Sequence, residues 1–142
     1  MPLSTDDRIA IAELIGRYNV AFDTYDVAGW VNTFLPSGTF DGLYGSFSGP
    51  TELAGFLYWH WTEPAVKWVP GSQHWINNLI IEGNRDAATT YCYGNVVLPG
   101  GVNAAGGPWH YRDAVRKVDG EWKFERRQAR PFAPDPAVTP PE

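Results

Sequence analysis

The hydrophobic periodicity of the chain changes near its middle, and this change limits the folds that it can adopt. In the first half, apolar residues recur with helical spacing: Ile11, Leu14, Ile15, Tyr18 and Phe22 lie at i, i+3, i+4, i+7 and i+11. In the second half, apolar and β-branched runs of strand length alternate with turn residues. Helices followed by a series of strands predict an α+β fold with the helices packed on one face of the sheet.

Capping residues and prolines mark the helix boundaries of the first half. Ser4 or Thr5 is suited to cap the first helix, and Asp26 to cap a short second one. The segment 36–38, Pro-Ser-Gly, predicts the end of that second helix. Gly49-Pro50 predicts the start of a third helix, because proline is favoured in a first helical turn.

Six segments have strand patterns, and the last four are expected to form an antiparallel meander. The segments are 39–41, 45–47, 73–81, 87–98, 109–118 and 121–129. Asp119-Gly120, between the last two, is a strong hairpin signal. Residues 1–130 are therefore predicted to form one domain. The remaining residues, 131–142, contain five prolines, and we expect a tail that is either disordered or extended across a pocket mouth.

Charge and hydropathy exclude several classes of function. The formal net charge is −5, and the one short basic stretch, 125–130, is expected on a solvated strand face or in ion pairs, so we predict no nucleic-acid partner. No apolar run approaches the ~20 residues that span a bilayer, and the N-terminus has no leader pattern, so we expect a cytoplasmic protein without a membrane span. Cys92 is the only cysteine, and its apolar strand favours a buried, inert thiol.

The order of these motifs resembles the SnoaL-like branch of the NTF2-like superfamily. The matching segments are the helix 7–18, Ala21-Phe22-Asp23, Asp26 to Trp30 with Phe34, Gly49 to Leu53, Gln73 to Asn78, Tyr111-Arg112-Asp113 and Asp119 to Phe124. The resemblance implies a cone in which a strongly curved, mainly antiparallel sheet wraps around three N-terminal helices and encloses a pocket. It also implies a homodimer, since the outer sheet face commonly mediates dimerisation in this superfamily.

Asp23 and His74 are the residues most suited to chemistry. They match the catalytic aspartate and histidine of the dehydratase and dehydrochlorinase members. A carboxylate at the border of the apolar helical stripe needs a partner, and a strand histidine facing the same cavity supplies one, leaving its other nitrogen as a general base. The alternatives are that Asp23 only ends its helix and that His74 is an ordinary sheet histidine with a satisfied hydrogen bond.

Four further residues are candidates to bind substrate. Strict alternation places Asn78 on the same face as His74, although a hydrogen bond to a neighbouring loop is an equal alternative. Trp109 and Tyr111 match polar positions of the dehydratase-like members, and Tyr111 is the favoured pocket hydroxyl. Tyr18 lies on the core stripe of the first helix, where packing is the commoner role.

Departures from the dehydratase pattern leave the substrate open. The tyrosine that precedes the aspartate in scytalone dehydratase is Phe22 here, its carbonyl-binding tyrosine falls near Gly42, and its second histidine falls near Leu98. His60 lies in an aromatic cluster that is either a lid over a pocket or a packing or dimer contact.

These residues predict a cofactor-independent enzyme that acts on a small, largely apolar, cyclic substrate. We expect a lyase of the dehydratase type first and a cyclase or isomerase second, because all three reactions begin with removal of a proton from carbon. No metal is predicted, because the three histidines lack metal-ligand spacing. The alternative is a non-catalytic protein on the same fold that binds a small ligand or another subunit.

Overall fold

The computed structural model describes residues 1–101 and 107–133, and in these ranges it contains three helices and six strands. The helices are α1 (Thr5–Asp23), α2 (Val27–Asn32) and α3 (Gly49–Thr62). The strands are β1 (Phe34–Gly42), β2 (Gly45–Ser48), β3 (Gln73–Asn84), β4 (Ala87–Val97), β5 (Trp109–Val118) and β6 (Glu121–Pro131). The predicted α+β class is confirmed.

Helices α1 and α2 begin at side-chain caps that the sequence predicts, and α3 begins at Gly49-Pro50 without one. Ser4 caps α1, and it exchanges hydrogen bonds with Asp7 in a capping box. Asp26 caps α2 by accepting a hydrogen bond from the backbone amide of Gly29. The predicted end of α2 at 36–38 is wrong: the helix ends at Asn32, and 36–38 lie in β1, where the ladder to β6 is interrupted by a bulge.

The sheet has the order β2-β1-β6-β5-β4-β3 and is antiparallel except where β1 pairs with β6 in parallel. The predicted meander of β3 to β6 is confirmed. The Asp119-Gly120 turn has positive φ at both residues, 51° and 80°, as a type I′ hairpin requires. Bulges interrupt three of the ladders, and they bend the strands so that the open sheet wraps around the helices.

The core lies between the helices and the concave face of the sheet and is mainly aromatic. Its fully buried centre is Trp30, which contacts Tyr18, Phe34 and Phe56 at ring-centroid distances of 5.3–6.0 Å. This packing accounts for much of the 15% aromatic content of the chain. The core does not fill the whole cone, and a cavity remains at the end where α1 finishes and β3 begins.

Most of the predicted tail lies outside the described residues. β6 continues to Pro131, two residues beyond the predicted strand end, and residues 134–142 are not described. The loop predicted between β4 and β5 is described only in part, because 102–106 lie in the other gap.

Candidate active site

Asp23 and His74 meet at the junction between α1 and β3. Oδ1 of Asp23 lies 2.5 Å from Nδ1 of His74, and Oδ2 accepts a hydrogen bond of 2.8 Å from the backbone amide of His74. Each side chain is 12% exposed. Since a carboxylate only accepts hydrogen bonds, Nδ1 carries the hydrogen of this contact, and in the neutral imidazole Nε2 then has the lone pair. The pair has the arrangement of an oriented general base.

The position of Asp23 explains why it needs these two donors. It is the last residue of α1, and a helix C-terminus carries partial negative charge that disfavours a carboxylate. The first residues of β3 supply a backbone amide and an imidazole at this point. Trp61 of α3 closes the junction by donating from its indole to the carbonyl of Phe22, at 3.0 Å.

Two aromatic rings fix the plane of the His74 imidazole. Trp68 stacks on it with centroids 5.6 Å apart and ring planes 22° apart. Phe22 meets it edge-on at 4.9 Å. Packing against the face and the edge of the imidazole restricts its rotation. Nδ1 therefore stays next to Asp23, and this contact sets the tautomer as well as the orientation of the ring.

His74 lines a cavity of about 290 Å³ that is mainly apolar. This volume lies near the lower end of the range for small-molecule sites. Residues from α1, α3, the α3–β3 loop, the β1–β2 turn and the concave sheet face form its walls. Besides His74 they are Tyr18, Phe22, Phe40, Leu43, Tyr44, Phe56, His60, Val66, Lys67, Trp68, Val69, Ser72, Val96, Leu98, Trp109, Tyr111 and Ala129.

Tyr18, Trp109 and Tyr111 all line this cavity, as the sequence predicts for a pocket. The rings of Tyr18 and Tyr111 are almost completely buried. Burial raises the pKa of Tyr111 to about 12 and the pKa of Tyr18 well above its usual range, against the opposing effect of Arg127. Both phenols therefore stay protonated in neutral solution. Gly94 of β4 is required beside Tyr111, because a Cβ atom there would lie 2.4 Å from its ring.

Arg127 is fully buried behind the two tyrosines, which the sequence did not indicate. Its guanidinium lies 4.3 Å from the ring centroid of Tyr18 and 4.1 Å from that of Tyr111. Its Nε lies 3.7 Å from Oδ1 of Asp113, an ion pair too long for a hydrogen bond. Thr90 donates to the other oxygen of Asp113 at 2.7 Å. The guanidinium of Arg127 is thus a buried cation that packs against the two tyrosines lining the cavity.

A profile of the SnoaL-like domain family matches residues 4–128, which spans all three helices and nearly all of the sheet. The chain belongs to the SnoaL-like domain family. The resemblance drawn from the motif order is thereby confirmed. No curated protein matches the sequence.

Solved structures with the same architecture support the assignment to the SnoaL-like fold. A protein of unknown function with a cystatin-like fold from Nostoc punctiforme is 33% identical, with a TM-score of 0.83, and the match covers 97% of this chain and 98% of that one. A candidate scytalone dehydratase from Novosphingobium aromaticivorans is 19% identical over 89% and 85% of the two chains, with a TM-score of 0.71. ActVI-ORFA from Streptomyces coelicolor is 20% identical over 96% and 100%, with a TM-score of 0.71. The last two similarities concern the fold alone.

Asn78 of this SnoaL-like domain lies outside the cavity, so its predicted place beside His74 is wrong. A bulge between Asn77 and Ile80 interrupts the ladder of β3 and β4, and Asn78 has the left-handed φ of 56°. The bulge shifts the alternation by one residue, so that Leu79 faces inward while Asn78 and Ile80 are exposed. The Asn-Asn pair was the available signal, since asparagine tolerates this conformation.

Trp68, His60 and Ser72 are cavity residues that were not among the predicted site residues. Each has a buried polar atom without a hydrogen-bond partner among the described residues, namely Trp68 Nε1, His60 Nδ1 and Ser72 Oγ. Such atoms are uncommon in folded proteins. Trp68 and Ser72 lie on the α3–β3 loop, which has no periodic pattern to indicate their direction.

The described residues contain neither a candidate metal site nor a helix suited to cross a membrane. Within 1–101 and 107–133, no group of three or more His, Cys, Asp or Glu side chains is arranged to hold a metal ion. In the same ranges, no helix combines the length and the apolar character that crossing a bilayer requires.

Proposed function

We propose that this SnoaL-like domain is an enzyme whose first step removes a proton from a carbon atom of a small cyclic substrate. The observation that carries the proposal is the 2.5 Å contact between Asp23 Oδ1 and His74 Nδ1 in the wall of an apolar cavity. The contact leaves Nε2 of His74 with its lone pair free to accept a proton.

The pair has the properties that carbon deprotonation requires. When Nε2 takes the proton, His74 becomes an imidazolium, and the carboxylate of Asp23 balances the new charge. The two oxygens of Asp23 already accept from the ring and the backbone of His74, so neither group has to reorient during transfer. A positioned base of this kind contributes roughly 10²–10⁴-fold to the rate.

The cavity supports a compact, largely apolar substrate. A cavity of about 290 Å³ lies near the lower end of the range for small-molecule sites, which favours a compact ligand. The aromatic walls favour flat rings. An activated carbon acid of this size is a one- or two-ring ketone, in which the carbonyl acidifies the neighbouring C–H bond.

Elimination of water is the reaction we place first, and cyclisation or double-bond migration second. Removal of a proton next to a carbonyl leads to elimination when the adjacent carbon carries a hydroxyl. The C–O bond then breaks, and the leaving oxygen takes the proton held on Nε2 of His74 and departs as water. The candidate scytalone dehydratase that shares the fold agrees with this order. No step in the proposal requires a cofactor, since the base and its counter-charge both come from the chain.

Hydrogen–deuterium exchange tests the base directly. The bicyclic ketone 1-tetralone and a panel of one- to three-ring cyclic ketones are incubated with the protein in D2O, and loss of the α-proton signal is followed by NMR. We expect exchange above the buffer rate, and we expect His74→Gln and Asp23→Asn to lower it by about 10²-fold or more. Asn77→Ala, at an exposed position of β3, is the matched control and retains the wild-type rate.

Two contrary results of this experiment would distinguish a different base from a protein that only binds its ligand. An exchange rate for His74→Gln equal to that of the wild type would remove His74 as the base. Binding of the ketones without exchange above the buffer rate would instead favour the non-catalytic, ligand-binding alternative.

A further inference from the structure

His60 of α3 is a second imidazole in the wall of the same cavity. Its ring contacts Phe22 edge-on at 5.0 Å and Trp68 at 5.3 Å. These are the two rings that also hold His74, at 4.9 Å and 5.6 Å. The two imidazoles therefore share their aromatic neighbours and lie around one part of the cavity.

The two imidazoles differ in their surroundings, because only one of them has a hydrogen-bond partner. The imidazole of His74 contacts Asp23, whereas the imidazole of His60 has no hydrogen bond to the described residues, and its Nδ1 is buried. Burial, with a smaller effect of His74, lowers the pKa of His60 to about 4, so its imidazole is neutral near pH 7. A neutral imidazole has one N–H and one bare nitrogen. A buried N–H without a partner is costly, so the burial of Nδ1 favours the tautomer with the proton on Nε2.

The cavity thus combines a base with a neutral donor. His74 presents a lone pair on Nε2, and His60 presents an N–H. Deprotonation of a ketone at the α-carbon moves the C–H electron pair into a new C=C bond and the C=O π electrons onto oxygen. The oxygen gains negative charge and needs a hydrogen-bond donor as the proton arrives on His74.

We propose that His60 is a further catalytic residue, which donates a hydrogen bond from Nε2 to the carbonyl oxygen of a cyclic ketone and stabilises the enolate. This inference rests on the proposed function of His74. The C–H proton goes to His74 Nε2, and His60 keeps its own proton throughout. A neutral His60 also avoids placing a second positive charge beside the imidazolium that forms on His74, since like charges in one site oppose each other.

The catalytic claim is tested by exchange of 1-tetralone with variants at position 60. His60→Phe keeps a flat ring and removes the donor, and we expect kcat to fall by about 10²–10³-fold with KM changed much less. His60→Gln retains an amide N–H and recovers part of the rate. Tyr58→Phe, at an exposed position of α3, is the control. A kcat for His60→Phe within about threefold of wild type, with His74→Gln inactive, overturns the inference and leaves the proposed function intact.

Two measurements decide the role of His60 without turnover. Nitrogen-15 NMR of the histidine rings at pH 7, with His60→Gln for assignment, is expected to show His60 neutral with its proton on Nε2; a proton on Nδ1 or on both nitrogens contradicts the inference. Titration with 2-naphthol, a flat mimic of an enol, is expected to give a Kd at least tenfold weaker in His60→Phe. If the wild type shows no exchange, the proposed function fails, and an unchanged Kd would then also remove the hydrogen bond from His60.

Discussion

The carboxylate of Asp23 accepts two hydrogen bonds from His74, one from the backbone amide and one from the imidazole. The backbone bond ties the end of α1 to the first residues of β3 whatever side chain occupies position 74. The ring bond adds orientation and charge balance to the imidazole. One carboxylate thus joins two elements of the fold and directs the proposed base into the cavity.

This double contact predicts unequal effects of mutations at the two positions. Asp23→Ala removes both acceptors and is expected to lower the free energy of unfolding by about 2–3 kcal/mol, since hydrogen bonds to charged groups contribute about 1.5–3 kcal/mol. In a His74→Ala background the same mutation should have a smaller effect that is still above zero, because the backbone bond remains. Urea unfolding of the four proteins in a double-mutant cycle measures this difference. An additive cycle would show that the ring contact does not stabilise the fold.

Asp7 is expected to stabilise the protein in a pH-dependent manner. Hydrogen bonds from Trp122, Ser4 and Lys117 hold the pKa of Asp7 well below its usual range. A carboxyl group whose pKa is lowered in the folded state stabilises the fold at pH values above its unfolded pKa of about 3.9. This stabilisation is lost as the pH falls below that value. Asp7→Asn should therefore be less stable than wild type at pH 7, and the gap should narrow below about pH 4. Asp6→Asn, in the same helical turn, is the control, and a gap independent of pH contradicts the prediction.

Because of His60, we expect the folded protein to lose stability on mild acidification. Its pKa is lowered to about 4 by burial in the folded protein, whereas the unfolded chain binds a proton at about 6.5. Between these two pKa values the unfolded state binds more protons than the folded state. The contribution of His60 to the free energy of unfolding is therefore fully present above about pH 6.5, and it declines toward pH 4 by up to about 1.4 kcal/mol per pH unit. His60→Phe should remove this part of the slope in urea unfolding between pH 7 and 4.5. Identical slopes for the two proteins would argue against a buried neutral imidazole.

We expect the fold to lose stability when either partner of the buried pair Arg127 and Asp113 is removed alone. Arg127→Met leaves Asp113 buried without its cation and should lower the free energy of unfolding by about 3–5 kcal/mol. The double variant Arg127→Met/Asp113→Leu should recover much of the loss, because replacing both charges removes the desolvation penalty of each. Denaturant unfolding compares the two. A double variant less stable than Arg127→Met alone would show that the pair itself stabilises the core.

A homodimer through the outer face of the sheet remains a prediction. Trp75 and Ile80 of β3 are 58% and 54% exposed on that face, where burial against a second copy would remove apolar surface from water. Light scattering after gel filtration should give twice the monomer mass, and Trp75→Lys/Ile80→Lys should shift the mass to the monomer. Val20→Lys, which replaces an exposed apolar residue of α1, serves as the control. A wild-type monomer at high concentration would contradict the prediction.

Local patterns in the sequence were sufficient to predict most of the elements. The i, i+3, i+4 stripe from Ile11 to Phe22 predicted α1, and Asp119-Gly120 predicted the hairpin of β5 and β6. Both signals are local, because capping and turn conformation depend on neighbouring residues. The pairing of Asp23 with His74 needed more than the pattern, since 51 positions separate them. It was predicted because the motif order resembled a known family.

Tertiary structure decided which of the candidate side chains reach the cavity and which others join them. The bulge in β3 turned Asn78 outward, because one extra residue reverses the two-residue alternation of a strand. A bulge in the ladder of β5 and β6 turned Arg127 into the core, in a stretch predicted to be solvated or in ion pairs. The irregular α3–β3 loop brought Trp68 beside His74. The sequence by itself determined most of the helices and strands and indicated the proposed base, since each has a local or familial signature. The cavity depends on contacts between distant segments, and no local pattern encodes the direction of a side chain after a bulge or in a loop.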